Sequence, residues 1–175
     1  MLEFDLVAQI VGFVGTFFMV LCMQQKKYGR IVLCKILNEL FFAIHYFLLG
    51  AYTGMCINFV GCFTNGVYWY RNKKGKRNLV FQIIFSAMFI VLGALSWHGP
   101  ISIFVVVAKL ITTVALGIDN PRTIRLLNFI SLPCYLTYNI YMGSLSGMLS
   151  DFLAIASVVI GIVRLDILKQ DKTAK

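Results

Sequence analysis

Charged residues are scarce in this sequence. They make up 13% of its 175 residues, whereas hydrophobic residues make up 59% and the mean hydropathy is +0.83. A soluble domain is about a quarter charged and nearer half apolar. This balance argues against a soluble globular domain and predicts a polytopic membrane protein whose main partner is the lipid bilayer.

Acidic residues are fewer than basic ones: the sequence has 7 Asp and Glu residues and 16 Lys and Arg residues. The resulting net charge of +9 can indicate nucleic-acid binding, but the basic residues form short clusters between long apolar runs. Such clusters are typical of the cytoplasmic loops of membrane proteins. We therefore expect no nucleic-acid partner.

Motifs for catalysis or metal binding are also missing. The five cysteines include no C-x-x-C pair, and neither they nor the two histidines have metal-ligand spacing. The sequence holds no P-loop and no H-E-x-x-H motif. We therefore expect no cofactor, no metal and no enzymatic activity, with an intramembrane enzyme kept as a third class of function to test.

Seven apolar segments follow one another with short connections between them. Each is close to the roughly 20 residues that a helix needs to cross a bilayer, and longer than the strands of a membrane barrel. The acidic N-terminus is unlike a secretory signal peptide, so the first segment is predicted to be a permanent helix. The predicted segments are 4–23, 30–49, 52–71, 78–96, 99–117, 123–142 and 145–165.

Lys and Arg alternate between the connections. The first, third and fifth connections and the C-terminal tail carry them, whereas the second, fourth and sixth carry none. The positive-inside rule then places the N-terminus outside and the C-terminus in the cytoplasm. Tyr68, Trp69 and Tyr70 are predicted to form an aromatic belt at the cytoplasmic face.

An internal repeat links the two halves of the sequence, because residues 45–71 align with residues 138–164 without a gap. The match pairs helices of the same orientation, as in transporters built from parallel repeats. The alternative is that short helical hairpins simply need glycine. The aligned pairs include Gly50 with Gly143, Gly54 with Gly147, Met55 with Met148, and Asn58 with Asp151.

The stretches HYFLLGAYTG, QQKKYGR and YNIYMGSLSG resemble the YgjV-type bacterial inner-membrane proteins, a family grouped with the SWEET, PQ-loop and MtN3-like transporters. The resemblance implies an all-α membrane protein with seven transmembrane helices, in two parallel three-helix bundles joined by a linker helix. The Pro-Gln signature of PQ-loop proteins is absent, so no sugar or amino-acid substrate can be borrowed from those branches. The implied divisions are a first repeat at 1–71, the basic loop and linker helix at 72–98, a second repeat at 99–166 and a cytoplasmic tail at 167–175.

Polar residues inside the apolar segments are the candidate site residues, because such groups are costly in lipid. In the SWEET relatives, paired polar residues on the third helix of each repeat bind substrate, which implies this role for Asn58 and Asp151. Asn65 and Asn139 are predicted to line the path. An amide and a carboxylate could bind a polyol, a nucleoside or an amine. The alternative is that these side chains only join helices.

Two charged residues lie about halfway through their segments, Glu39 in the second and Lys109 in the fifth. Buried opposite charges should pair. The pair could act as a gate or coupling site between the bundles, or it could be a static salt bridge. Lys35 is a competing partner for Glu39. His45 could carry a proton or only bond to backbone, and Pro133 could act as a hinge or form a static bend.

Together these features predict a small transporter or facilitator of a small polar metabolite, working by alternating access around a midplane cavity. Whether transport is coupled to a cation or proton, and whether the protein forms a homo-oligomer, both stay open. The competing function is a non-transporting accessory or interaction protein whose polar groups only hold helices together.

Overall fold

The computed structural model describes residues 2–48, 52–95, 97, 99–141 and 145–167. These residues form seven α-helices and contain no strand, which confirms the all-helical class. A π-helical segment, Ile162–Ile167, continues the last helix. The helices are α1 (Leu2–Gln24), α2 (Tyr28–Leu48), α3 (Tyr52–Lys73), α4 (Leu79–Leu95), α5 (Ser102–Gly117), α6 (Pro121–Tyr141) and α7 (Leu145–Gly161).

Each predicted apolar segment coincides with one helix, with differences of a few residues at the ends. The third and seventh segments begin where they were predicted, since α3 begins at Tyr52 and α7 at Leu145. Gly54 and Gly147, which are paired by the internal repeat, therefore belong to the first turns of α3 and α7. Gly50 and Gly143 lie outside the described residues, as does the tail from 168 onward.

Three stretches are long and apolar enough to cross a membrane by length and composition: Leu6–Gln24, Tyr28–Leu48 and Gly147–Ile167. The helices α4 and α5 are apolar but shorter, with 17 and 16 residues. The helices α3 and α6 are long but contain more polar residues. The expectation of seven membrane spans is therefore supported directly for three of the seven helices.

Contacts between neighbouring helices give the order of the bundle. The helix α2 packs between α1 and α3, α6 packs between α5 and α7, and α7 packs extensively against α1. The helices α3 and α5 meet over a limited stretch only. Six helices thus follow one another around a ring in the order α1, α2, α3, α5, α6, α7, and α4 packs mainly against α5.

The buried apolar core lies at the end of the bundle where the basic connections are. Met23 and Tyr28 flank the first connection, and Leu116 and Ile124 flank the fifth; each of the four is at most 6% exposed. The Tyr28 hydroxyl donates a 2.7 Å hydrogen bond to the Leu116 carbonyl, which ties α2 to α5. Tyr68 is fully buried in this core, so its predicted place in the aromatic belt is wrong.

Polar side chains join α1 and α7 along their shared face. Thr16 Oγ1 donates to Ser150 Oγ over 3.0 Å, and Gln24 Nε2 donates to the Ser157 carbonyl over 2.6 Å. The Ser157 hydroxyl in turn donates to the carbonyl of Val20 over 2.8 Å. Hydrogen bonds of this kind hold helices together where lipid supplies no hydrophobic driving force. We call this face the α1–α7 seam.

A buried ion pair lies at the end of the seam that is near the basic connections. Arg125 Nε donates to Asp166 Oδ2 over 2.8 Å, and Nη2 donates to Oδ1 of the same carboxylate. The guanidinium also donates to the Gln25 carbonyl over 2.9 Å, so it connects α6, the π-helical segment and the end of α1. From the sequence, Arg125 is only one of the basic residues near the fifth connection that predict orientation.

Replacing Asp166 by Asn should destabilise the protein, because it leaves the Arg125 guanidinium buried without its anion. Removing one partner of a buried pair costs about 3–5 kcal/mol. We expect a lower midpoint of thermal unfolding in detergent micelles. The matched control is Asp119→Asn, which changes an exposed carboxylate near the same end of the bundle. Equal midpoints for the two variants would show that the pair does not stabilise the fold.

Candidate functional site

An ion pair lies at the centre of the bundle. Lys109 Nζ on α5 is 2.8 Å from both carboxylate oxygens of Glu39 on α2. The two side chains are 10% and 5% exposed. The competing partner, Lys35, instead donates to Asn38 Oδ1 over 3.3 Å and lies 3.6 Å from Met19 Sδ. Glu39 therefore pairs across the bundle and not along its own helix.

Two further helices contact this ion pair. Gly61 on α3 packs directly against it, and a Cβ atom there would overlap Glu39 Oε2 and Lys109 Nζ. On α4, the ring centroid of Phe89 lies 4.9 Å from Lys109 Nζ, within the range of a cation–π interaction. Four helices therefore converge on one pair of charges. Gly61 was not singled out from the sequence, where it is one glycine inside an apolar run.

A second polar contact joins α6 and α7. Asn139 Nδ2 donates to Asp151 Oδ2 over 2.6 Å, and both side chains are half-buried. Gly147 lies close to this contact, since a Cβ there would come within 2.6 Å of the Asn139 side chain. The structure thus brings together two of the four predicted substrate-binding residues. Within the described part of the chain, no Lys, Arg or His nitrogen lies within 4.0 Å of the Asp151 carboxylate.

The other two predicted substrate-binding residues lie on α3. Asn58 is half-buried in the first half of α3, and Asn65 lies two turns further along at 2% exposure. Among the described residues, Asn65 Nδ2 has no hydrogen-bond partner. An unsatisfied buried donor costs about 1–3 kcal/mol. Asn65 therefore offers a donor that a polar ligand or a water molecule would satisfy.

The positions of His45 and Pro133 do not test the proton and hinge roles that were predicted for them. His45 is 2% exposed, and its Nδ1 lies 2.7 Å from the Ala8 carbonyl on α1. A carbonyl can only accept, so Nδ1 carries the proton and the contact joins two helices. Pro133 is exposed on α6, and the helix continues through it to Tyr141. The proton and hinge roles of these residues stay predictions.

Buried side chains along the bundle axis are both apolar and polar. The end near the basic connections holds the apolar core and the Arg125–Asp166 pair, and the Glu39–Lys109 pair lies at mid-depth. Further toward the opposite end lie the Asp151–Asn139 contact and the buried His45. Polar side chains are therefore buried along the whole length of the described bundle.

Comparison with known proteins adds one finding. A family model described as "Bacterial inner membrane protein" matches residues 6–169, which spans nearly the whole chain and part or all of every helix. No curated protein matches the chain, and no solved structure matches it either.

The contact between Gly61 and the ion pair leads to a prediction. Gly61→Ala should destabilise the protein by about 1–3 kcal/mol, the usual cost of overpacking, because the methyl group must displace Glu39 or Lys109. The matched control is Gly66→Ala on the same helix, where an added Cβ meets nothing within 4 Å. Unfolding midpoints in detergent compare the two variants. If Gly61→Ala is no worse than Gly66→Ala, α3 does not pack against the pair in this way.

Proposed function

This chain belongs to the Imp-YgjV family of bacterial inner membrane proteins, and we propose that it is a small transporter or facilitator for a small polar metabolite. The observation that carries the proposal is the buried Glu39–Lys109 pair, which links α2 to α5 at mid-depth. Ionisable groups at such depth are costly in a membrane and commonly mark a substrate or ion pathway.

Alternating access would use the two unequal contacts between the halves of the ring. The α1–α7 seam is extensive and rich in hydrogen bonds, so it suits a fixed contact or a pivot. The contact between α3 and α5 is limited and lies beside the Glu39–Lys109 pair. Separating Glu39 from Lys109 and Tyr28 from Leu116 would open the apolar end of the interior.

The helix order supports a parallel repeat within this proposal. In a parallel repeat, α1, α2 and α3 correspond to α5, α6 and α7. The α1–α2 contact then corresponds to the α5–α6 contact, and the α3–α5 contact corresponds to the α7–α1 contact. All four of these contacts are present. We propose the arrangement of two three-helix bundles with α4 as linker, and with it a relation to SWEET-like and PQ-loop-like transporters. The N-terminus would lie outside and the C-terminus in the cytoplasm.

Individual residues take the following roles in the proposal. Asp151 and Asn139 contact the substrate directly, and Asn58 faces it from the first repeat. Asn65 lines the path with its unsatisfied amide nitrogen. Glu39 and Lys109 form the gate. The chain is not an enzyme in this account, and a coupled cation or proton would bind at the same carboxylates.

A non-transporting accessory protein is the second candidate, and the α1–α7 seam is the observation that favours it. There the polar side chains serve helix packing and bind each other or backbone carbonyls. If the same holds for Asp151 and Glu39, their replacement would change stability alone.

Flux into proteoliposomes distinguishes the two candidates. We expect the purified protein to transport at least one compound from a panel of sugars, nucleosides, amines, vitamins and amino acids. Asp151→Asn keeps the size of the side chain and removes its charge, and should reduce that flux at least tenfold, equivalent to about 1.4 kcal/mol. Asp119→Asn, at an exposed position, should leave flux unchanged. A stable protein that moves none of the panel would favour the accessory role.

A further inference from the structure

Two Lys, one Glu and one Asp side chain lie in the middle part of the described bundle, and only Glu39 and Lys109 pair with each other. Glu39 and Lys109 form a salt bridge. Lys35, only 9% exposed, contacts the neutral groups Asn38 Oδ1 and Met19 Sδ. Asp151 accepts a hydrogen bond from the neutral Asn139 amide. In the described structure, the interior therefore holds one cation and one anion that lack a partner of opposite charge within 4.0 Å.

These two charges belong to opposite halves of the ring. Lys35 lies seven residues into α2 from its inner end, and Asp151 lies six residues into α7 from its outer end. At 1.5 Å of rise per residue, their Cα atoms differ in depth by about 10 Å. The surroundings of the two side chains meet on α1: Asn38, the partner of Lys35, donates to the Gly15 carbonyl, and the next residue, Thr16, donates to Ser150 beside Asp151.

The balance of charge restricts what can bind there. The four groups sum to zero, so a ligand with no net charge leaves the low-dielectric interior neutral. A simple amine would neutralise Asp151 but leave Lys35 uncompensated, and a simple acid would do the reverse. Because an uncompensated buried charge is strongly unfavourable, a ligand that carries both charges fits best.

We propose that the substrate is a small zwitterion, whose ammonium group binds the Asp151 carboxylate and whose acidic group binds the Lys35 ammonium. The inference rests on the proposed transport function and assigns its substrate class. Asn139 orients the Asp151 carboxylate, and Asn38, whose own amide donates to the Gly15 carbonyl over 2.9 Å, orients Lys35. Both charged groups are thus held by neutral neighbours and stay available to a ligand.

The direct test is a binding and flux screen with the full-length protein in proteoliposomes. The probes are the twenty standard L-amino acids and glycine betaine. Each probe is compared with one analogue that lacks its acidic group and with another that lacks its amino or ammonium group. We expect at least one zwitterion to bind and to be transported. Each of its two analogues should bind at least about tenfold more weakly, since each loses one charge-assisted interaction.

Charge-removing variants test the assigned residues. Asp151→Asn and Lys35→Gln should each weaken binding of the transported zwitterion at least tenfold, and Lys35→Arg should restore most of the lost affinity. Lys76→Gln and Asp119→Asn, both at exposed positions, are the controls. Unfolding midpoints measured without ligand check that each variant folds. If Lys35→Gln does not fold, the affinity of Lys35→Arg still tests whether a positive charge is needed at this position.

The failures of the two proposals are distinguishable. If a sugar, a nucleoside or a simple amine is transported and no zwitterion binds, the substrate class is wrong and the transport function stands. The same conclusion follows if a zwitterion binds equally well to Lys35→Gln. If a folded protein moves no compound of either panel, the transport function itself fails.

Discussion

The buried pair of Glu39 and Lys109 is the interaction around which the rest of this structure is arranged. An unpaired charge in the middle of a membrane bundle is costly, and the two charges of this pair are supplied by different halves of the chain. The pair also dictates the shape of its neighbours. Position 61 has no room for a side chain, and Phe89 brings an aromatic ring to the ammonium group.

From this pair outward, the contacts toward the two ends of the bundle differ. The end near the basic connections is closed by apolar packing and by the Tyr28–Leu116 hydrogen bond between α2 and α5. Toward the other end lie the half-buried Asp151 and Asn139. The ion pair lies between these two regions, and it is the contact that the proposed alternating access would have to break.

Much of the fold follows from local sequence patterns. Apolar runs of about 20 residues separated by basic or glycine-containing connections locate all seven helices to within a few residues. Equal depth along their segments also makes Glu39 and Lys109 candidate partners. The contact between Asp151 and Asn139 is within reach of the sequence, because the two residues face each other across one helical hairpin.

Features set by tertiary packing could not be predicted in this way. The burial of Tyr68, next to the exposed Trp69 and Tyr70, depends on which face of α3 meets the core. The Arg125–Asp166 pair joins residues far apart in the chain, and Asp166 lies at the predicted boundary between the second repeat and the basic tail, where the sequence does not mark it as buried. The need for glycine at position 61 arises only once α2, α3 and α5 have come together.

A double-mutant cycle on Glu39 and Lys109 tests the central interaction most directly. Glu39→Gln, Lys109→Met and the double variant would be compared with the wild type by their free energies of unfolding in detergent. If the pair holds the two halves together, each single change strands a buried charge, and the double variant is less destabilised than either single variant, with a coupling of at least about 1 kcal/mol. Additive losses would contradict the account.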